Sequence, residues 1–172
     1  GMPGLMPGAS WGMPWPRGRH ARETTFALHT AGGEPVPVQS RPLAFWPDGS
    51  LKWTAHAIPA DAPIADAYRI ASGTPATPAR PVVVVETAGE IEIDTGVIRV
   101  VIGRRGDAVI RSVTRGGVEI ARAGRLVCRL ENRIDPGAVR TENFVGEIEH
   151  VALEQAGPVR AVVKLEGRHA GG

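Results

Sequence analysis

A chain of 172 residues suits one medium β domain or two small ones, and at this size it buries roughly 70% of its unfolded surface. Its 20 basic and 18 acidic residues interleave to a net charge of +2, which argues against a nucleic-acid partner, and no run approaches the roughly 18 apolar residues of a membrane span. A single cysteine, Cys128, excludes an internal disulfide framework.

Gly1 ahead of Met2 looks like a tag remnant, and the first ten residues lack a signal peptide's apolar core, so secreted and cytoplasmic locations both stay open. Residues 1 to 19 are dense in Gly, Pro and Trp, and Pro14 and Pro16 predict a stiff, non-helical arm. Thr24 to Thr30 alternates as a strand, closed by a turn at Ala31-Gly32-Gly33-Glu34. Val36 to Trp46 is a strand interrupted by Pro37 and Pro42, which push it towards an edge or a bulge. Asp48-Gly49 then predicts a hairpin tip between two tryptophans, Trp46 and Trp53, with Leu51 to Ile58 as the returning strand.

Prolines at 59, 63, 75, 78 and 81 thin out the next stretch, leaving Ala67 to Ala71 as a short strand and a boundary near residue 80. Beyond it, Val82 to Glu86, Glu90 to Asp94, Val97 to Ile102, Ala108 to Thr114, Val118 to Ala121 and Arg125 to Glu131 read as short strands parted by glycine turns. A loop from Asn132 to Asn143 contains Asp135-Pro136-Gly137. Two further strands, Val145 to Leu153 and Val159 to Glu166, are joined by Gln155-Ala156-Gly157-Pro158. The pattern is all-β with little or no helix, and the lack of a closing element before Gly171-Gly172 suggests one piece of a longer protein.

No catalytic constellation emerges. Five histidines are scattered without metal-ligand spacing and read as surface or strand-face residues; no metal or other cofactor is expected. Cys128, in the run Leu126, Val127, Cys128, Leu130, reads as a buried free thiol. Glu90, Glu92 and Asp94 share one strand face by period two, and a solvated face accounts for them without acid/base or calcium chemistry. Arg99, Arg111, Arg115, Arg122 and Arg129 alternate as on the outer face of a half-buried sheet. Trp11, Trp15, Trp46 and Trp53 all fall in the first third, where they build a core and anchor the arm or, alternatively, stack on sugar rings.

Three segments go beyond composition: Trp11-Gly12-Met13-Pro14-Trp15-Pro16-Arg17-Gly18; Pro37-Val38-Gln39 with Leu43-Ala44-Phe45-Trp46-Pro47-Asp48-Gly49-Ser50-Leu51-Lys52-Trp53; and Glu154 through Lys164. Together they resemble the amino-terminal region of the exo-rhamnogalacturonan lyase and YetA-like family, polysaccharide lyase family 26. The resemblance implies a RIFT-type β-barrel over residues 1–80, then a meander or sandwich segment over 81–172 that leads to a helical-toroid catalytic domain lying outside this chain. That domain of the same polypeptide is the implied partner, and no catalytic residue of the family carries over. The alternative is an autonomous carbohydrate-binding module for pectic oligosaccharides. Its binding residues would be Trp46 and Trp53 with Arg17, Asp48 and Lys52, alongside Trp11 and Trp15 of the arm.

Overall fold

The structure, a computed structural model, describes residues 8–134 and 137–171. Gly1-Met2, Asp135-Pro136 and Gly172 lie outside the described residues. Among the described residues every regular element is a strand, β1 to β14, and the chain resolves into two compact units.

The first unit comprises the described residues up to Pro81 together with Gly157–Arg160. It holds six strands in two three-stranded sheets: β1 (Ala9–Pro14), β5 (Leu51–Ile58) and β4 (Gln39–Phe45) in the order β1-β5-β4, and β3 (Pro35–Val36), β2 (Phe26–Thr30) and β6 (Tyr68–Ser72) in the order β3-β2-β6. β2 alternates as its sequence demands, with Phe26, Leu28 and Thr30 buried. Pro37 and Pro42 act as the ladder chemistry requires. The first falls in the break between β3 and β4; the second lies on an edge strand whose pairing with β5 shifts register between Pro42 and Ala44.

The arm is non-helical, as its prolines require, but its pairing into a sheet is a correction to the sequence reading. Ala9–Pro14 is a strand, paired antiparallel with β5 from Ala9 opposite Ile58 to Pro14 opposite Trp53. Pro14 is tolerated because it ends an edge strand, and the backbone N–H of Trp15 still reaches Lys52 O at 2.9 Å.

In the second unit, β7 (Val83–Glu86), β8 (Glu90–Asp94), β9 (Ile98–Gly103), β10 (Ala108–Arg115) and β11 (Val118–Arg125) form a five-stranded antiparallel meander. A second sheet has the order β12-β13-β14, from β12 (Val127–Asn132), β13 (Arg140–Ala156) and β14 (Ala161–Gly171). Its long hairpin starts earlier and ends later than sequence suggests, because the β13–β14 ladder runs on through two register shifts. Ile91, Ile102 and Val109 from the meander meet Ile148 and Val151 of β13, so the core lies between the sheets as in a sandwich. On the meander's outer side, Arg111 pairs with Glu90 at 2.9 Å, and Arg99 lies 3.4 Å from both Glu92 and Asp94. Two arginines, from β9 and β10, thereby face the three carboxylates of the stripe.

Cys128 is the second correction: it is exposed, as are its neighbours Leu126, Val127 and Leu130. β12 ends its sheet, and an apolar run on an end strand is buried only if something lies over it.

Candidate functional site

The hairpin between β4 and β5 gathers most of the residues that sequence singled out. Gly49 N–H bonds to Trp46 O at 2.9 Å and Trp46 N–H to Ser50 O at 2.8 Å, so Pro47 and Asp48 form the turn's centre. Gly49 follows with φ +83°, the left-handed conformation that glycine adopts without penalty. Asp48 organises the tip. Its Oδ1 accepts from the Ser50 hydroxyl at 2.6 Å and the Ser50 N–H at 3.0 Å, and its Oδ2 pairs with Arg17 Nε at 2.9 Å. These bonds, the two from Ser50 first and then that from Arg17, hold the carboxyl at a pKa of about 2. Ser50 Oγ also accepts from Gly18 N–H at 2.9 Å, so the arm is fastened to the tip twice.

The tryptophans divide between inside and outside. Trp15 stacks on Phe26 with centroids 5.1 Å apart and planes at 12°, and Trp46 donates its indole N–H to Trp15 O at 3.0 Å. Lys52 Nζ stands 4.7 Å over the Trp46 ring in a cation–π arrangement. Trp11 joins the core cluster of Leu28, Val36, Val38, Ile58 and Ala62 instead. Trp53, 40% exposed, lies against the backbone of β1: a Cβ added at Gly12 would come 2.4 Å from its Nε1. That approach gives the glycine of Trp11-Gly12-Met13 its physical reason.

Sequence reasoning missed a buried polar chain behind the hairpin. Indole nitrogen only donates, so Trp15 Nε1–H donates a hydrogen bond to Thr54 Oγ1 at 2.8 Å. His56 shares a hydrogen bond with the Thr54 hydroxyl through Nε2 at 2.7 Å and one with Ser40 Oγ through Nδ1 at 2.8 Å, so both ring nitrogens are engaged. His56 and Thr54 are each 1% exposed, and Trp11 and Phe26 flank the imidazole. Burial lowers the His56 pKa to about 4, so the ring is neutral near pH 7. Of the two places expected for the histidines, surface or strand face, His56 takes a strand face, on its buried side. The signal was the pattern of β5 itself: Thr54, His56 and Ile58 alternate onto one face, and the apolar Ile58 marks that face as inward.

Two other features complete the first unit. Gln39 accepts from the N–H groups of Val159 and Arg160, both at 2.9 Å, and donates to Arg160 O at 3.1 Å, which ties residues 157–160 to β4. An open apolar cleft of about 520 Å³ runs between β1 and β6, walled by Trp11, Met13, Leu28, Ile58, Tyr68 and Ile70. Among the described residues no group of three or more His, Cys, Asp or Glu side chains is placed to hold a metal ion.

Residues 1–73 match the PcRGLX-like N-terminal RIFT barrel domain, and residues 82–172 match the PcRGLX-like protein central beta sandwich domain. The chain belongs to the PcRGLX-like family. This is the family that the three sequence segments resemble, and the six-stranded first unit and two-sheet second unit are its barrel and sandwich. The chain is 37% identical to an uncharacterized protein, YetA, of Bacillus subtilis (strain 168), over 98% of its own length. It spans 20% of that curated relative.

Proposed function

We propose that the chain is the non-catalytic amino-terminal β portion of a bacterial, pectin-degrading protein of the rhamnogalacturonan-lyase type, and that it packs on and supports a helical-toroid lyase domain of the same polypeptide. The observation that carries this reading is the tandem match to a family's N-terminal barrel and central sandwich, in a chain one fifth as long as its relative.

The chemistry of the side chains supports it. Elimination next to a uronate needs a base for the proton alpha to the carboxylate, and a cation or metal for the enolate. His56 is enclosed with both ring nitrogens engaged, and Glu90, Glu92 and Asp94 sit against Arg111 and Arg99. These groups are committed to the fold.

The test is an assay for unsaturated uronic products from rhamnogalacturonan, run with this chain and with a complete family polypeptide. The expected result is product only from the complete polypeptide; product from this chain alone would overturn the reading.

A second reading, contact with a pectic oligosaccharide, draws on the exposed Trp53 ring and on the cleft walled by Trp11 and Tyr68. Saturable change in tryptophan fluorescence with pectic oligosaccharides, together with quenching by acrylamide, would favour it. Emission that ignores every sugar would remove it.

A further inference from the structure

The sandwich unit turns core-facing side chains outward at one side. β12 closes the order β12-β13-β14, so one of its edges has no strand beside it. Its register sets Cys128 opposite Phe144, and residues directly opposite in an antiparallel pair share a face. Phe144, Gly146 and Ile148 alternate onto that same face of β13, and Ile148, 7% exposed, belongs to the core between the sheets. Cys128 and Leu130 therefore occupy core-facing positions. Cys128 is nevertheless exposed, and Leu130 is 56% exposed.

The neighbouring residues extend this surface. Leu126, two residues before Cys128 and so on its face, is exposed, as are Val118 and Ile120 on β11, the strand that leads into β12 through Leu126 alone; Val127 is exposed on the other face of β12. Single exposed apolar residues are ordinary on any protein, but Leu126, Cys128 and Leu130 follow one another at period two on the core-facing side of β12, and such a row marks an interface. The other end strand of the same sheet is built differently. On β14 the core-facing Val163 and Leu165 are partly buried against the core cluster, while Lys164, Glu166 and Arg168 point outward as Arg129 and Glu131 do on β12.

We propose that the β11–β12 side of the sandwich is a docking surface for an apolar segment from the part of the longer polypeptide outside this chain, which covers Cys128 and Leu130. This rests on the reading that the chain is a portion of a larger protein. The occupant follows from two observations. Four fifths of the relative's length lies outside the match, so a covering segment is available on the same polypeptide. On these strands Arg122 pairs with Glu119, Arg125 with Asp107 and Arg129 with Glu131, so the charges are matched within the chain and what remains to be covered is apolar.

Cys128, the chain's one thiol, is the reporter. Maleimide labelling is timed in this chain and in the chain continued by the remainder of YetA with other cysteines replaced by serine. A cysteine at the matching position of full-length YetA is the second form, should the fusion fail to fold. Labelling is expected at the rate of a free thiol in this chain and at least tenfold slower in the longer polypeptide. Leu130→Asp should leave this chain's melting temperature unchanged while lowering that of the longer polypeptide and restoring its labelling. Equal rates in both would overturn the proposal. So would labelling that slows with concentration in this chain, with a dimer mass in sedimentation, since the occupant would then be a second copy. A longer polypeptide that cleaves rhamnogalacturonan yet leaves the thiol open defeats the docking surface alone; one that protects the thiol but cleaves nothing defeats only the lyase reading.

Discussion

The two units solve the same problem in opposite ways. In the barrel, polar side chains go inside, with Trp15, Thr54, His56 and Ser40 linked in one hydrogen-bonded chain while Arg41 Nε is buried without a partner. In the sandwich, charges stay outside in cross-strand pairs, and apolar side chains of β11 and β12 are left outside as well. A region that links buried polar groups to one another is specified by its own sequence. One that exposes core-facing apolar residues takes part of its specification from a partner.

The comparison breaks most sharply at Phe26. Its ring is 2% exposed and touches Trp15, His20 and His56, so truncation removes the common support of three side chains. Phe26→Ala is expected to cost about 3–5 kcal/mol in denaturant unfolding and to red-shift the tryptophan emission. A cost below about 1 kcal/mol would mean that the barrel interior is loosely packed.

Acid tests the buried chain directly. The folded pKa of His56, about 4, lies below the ordinary imidazole value of 6.5, so the unfolded state binds more protons between these values. Stability from this group is fully present above pH 6.5 and is lost as pH falls towards 4, by about 3 kcal/mol at most. Equilibrium unfolding across that window should show the slope, and His56→Gln should flatten it. A flat profile in the unsubstituted chain would show that the imidazole is solvated.

Trp15→Phe separates packing from hydrogen bonding at the same place. The aromatic stack on Phe26 survives, while the N–H to Thr54 Oγ1 is lost. The expected cost is about 1–2 kcal/mol, less than for Phe26→Ala, read from the shift in denaturant midpoint. A neutral outcome would show that Thr54 finds another partner at no cost.

How much of this was legible beforehand depended on whether the determining contact is local. The Asp48-Gly49 tip, the β2 alternation and the bulged, proline-bearing β4 all follow from neighbours in sequence, and each is visible there. β1 was not, because glycine and proline locally disfavour a strand and only pairing with β5, some forty residues on, supplies one. Gln39 was equally silent: its partners at Val159 and Arg160 are 120 and 121 residues away. Cys128 failed for the converse reason. Its run has the composition of a core strand and faces the core side, but composition does not say whether anything lies over that face.

The smallest expected effect also sharpens the comparison within one unit. Ile91 is 0% exposed and Val118 is 65% exposed, and replacing either with threonine sets a hydroxyl where an apolar group stood. At Ile91 the change opens a void and buries a hydroxyl in an apolar core, for about 3 kcal/mol. At Val118 the hydroxyl meets water and β-branching is kept, so the cost should stay within about 0.5 kcal/mol. The pair is measured by chemical denaturation at one pH and protein concentration. Equal costs would place Val118 in a buried environment in solution, and the outward side of β11 would then be covered already in this chain.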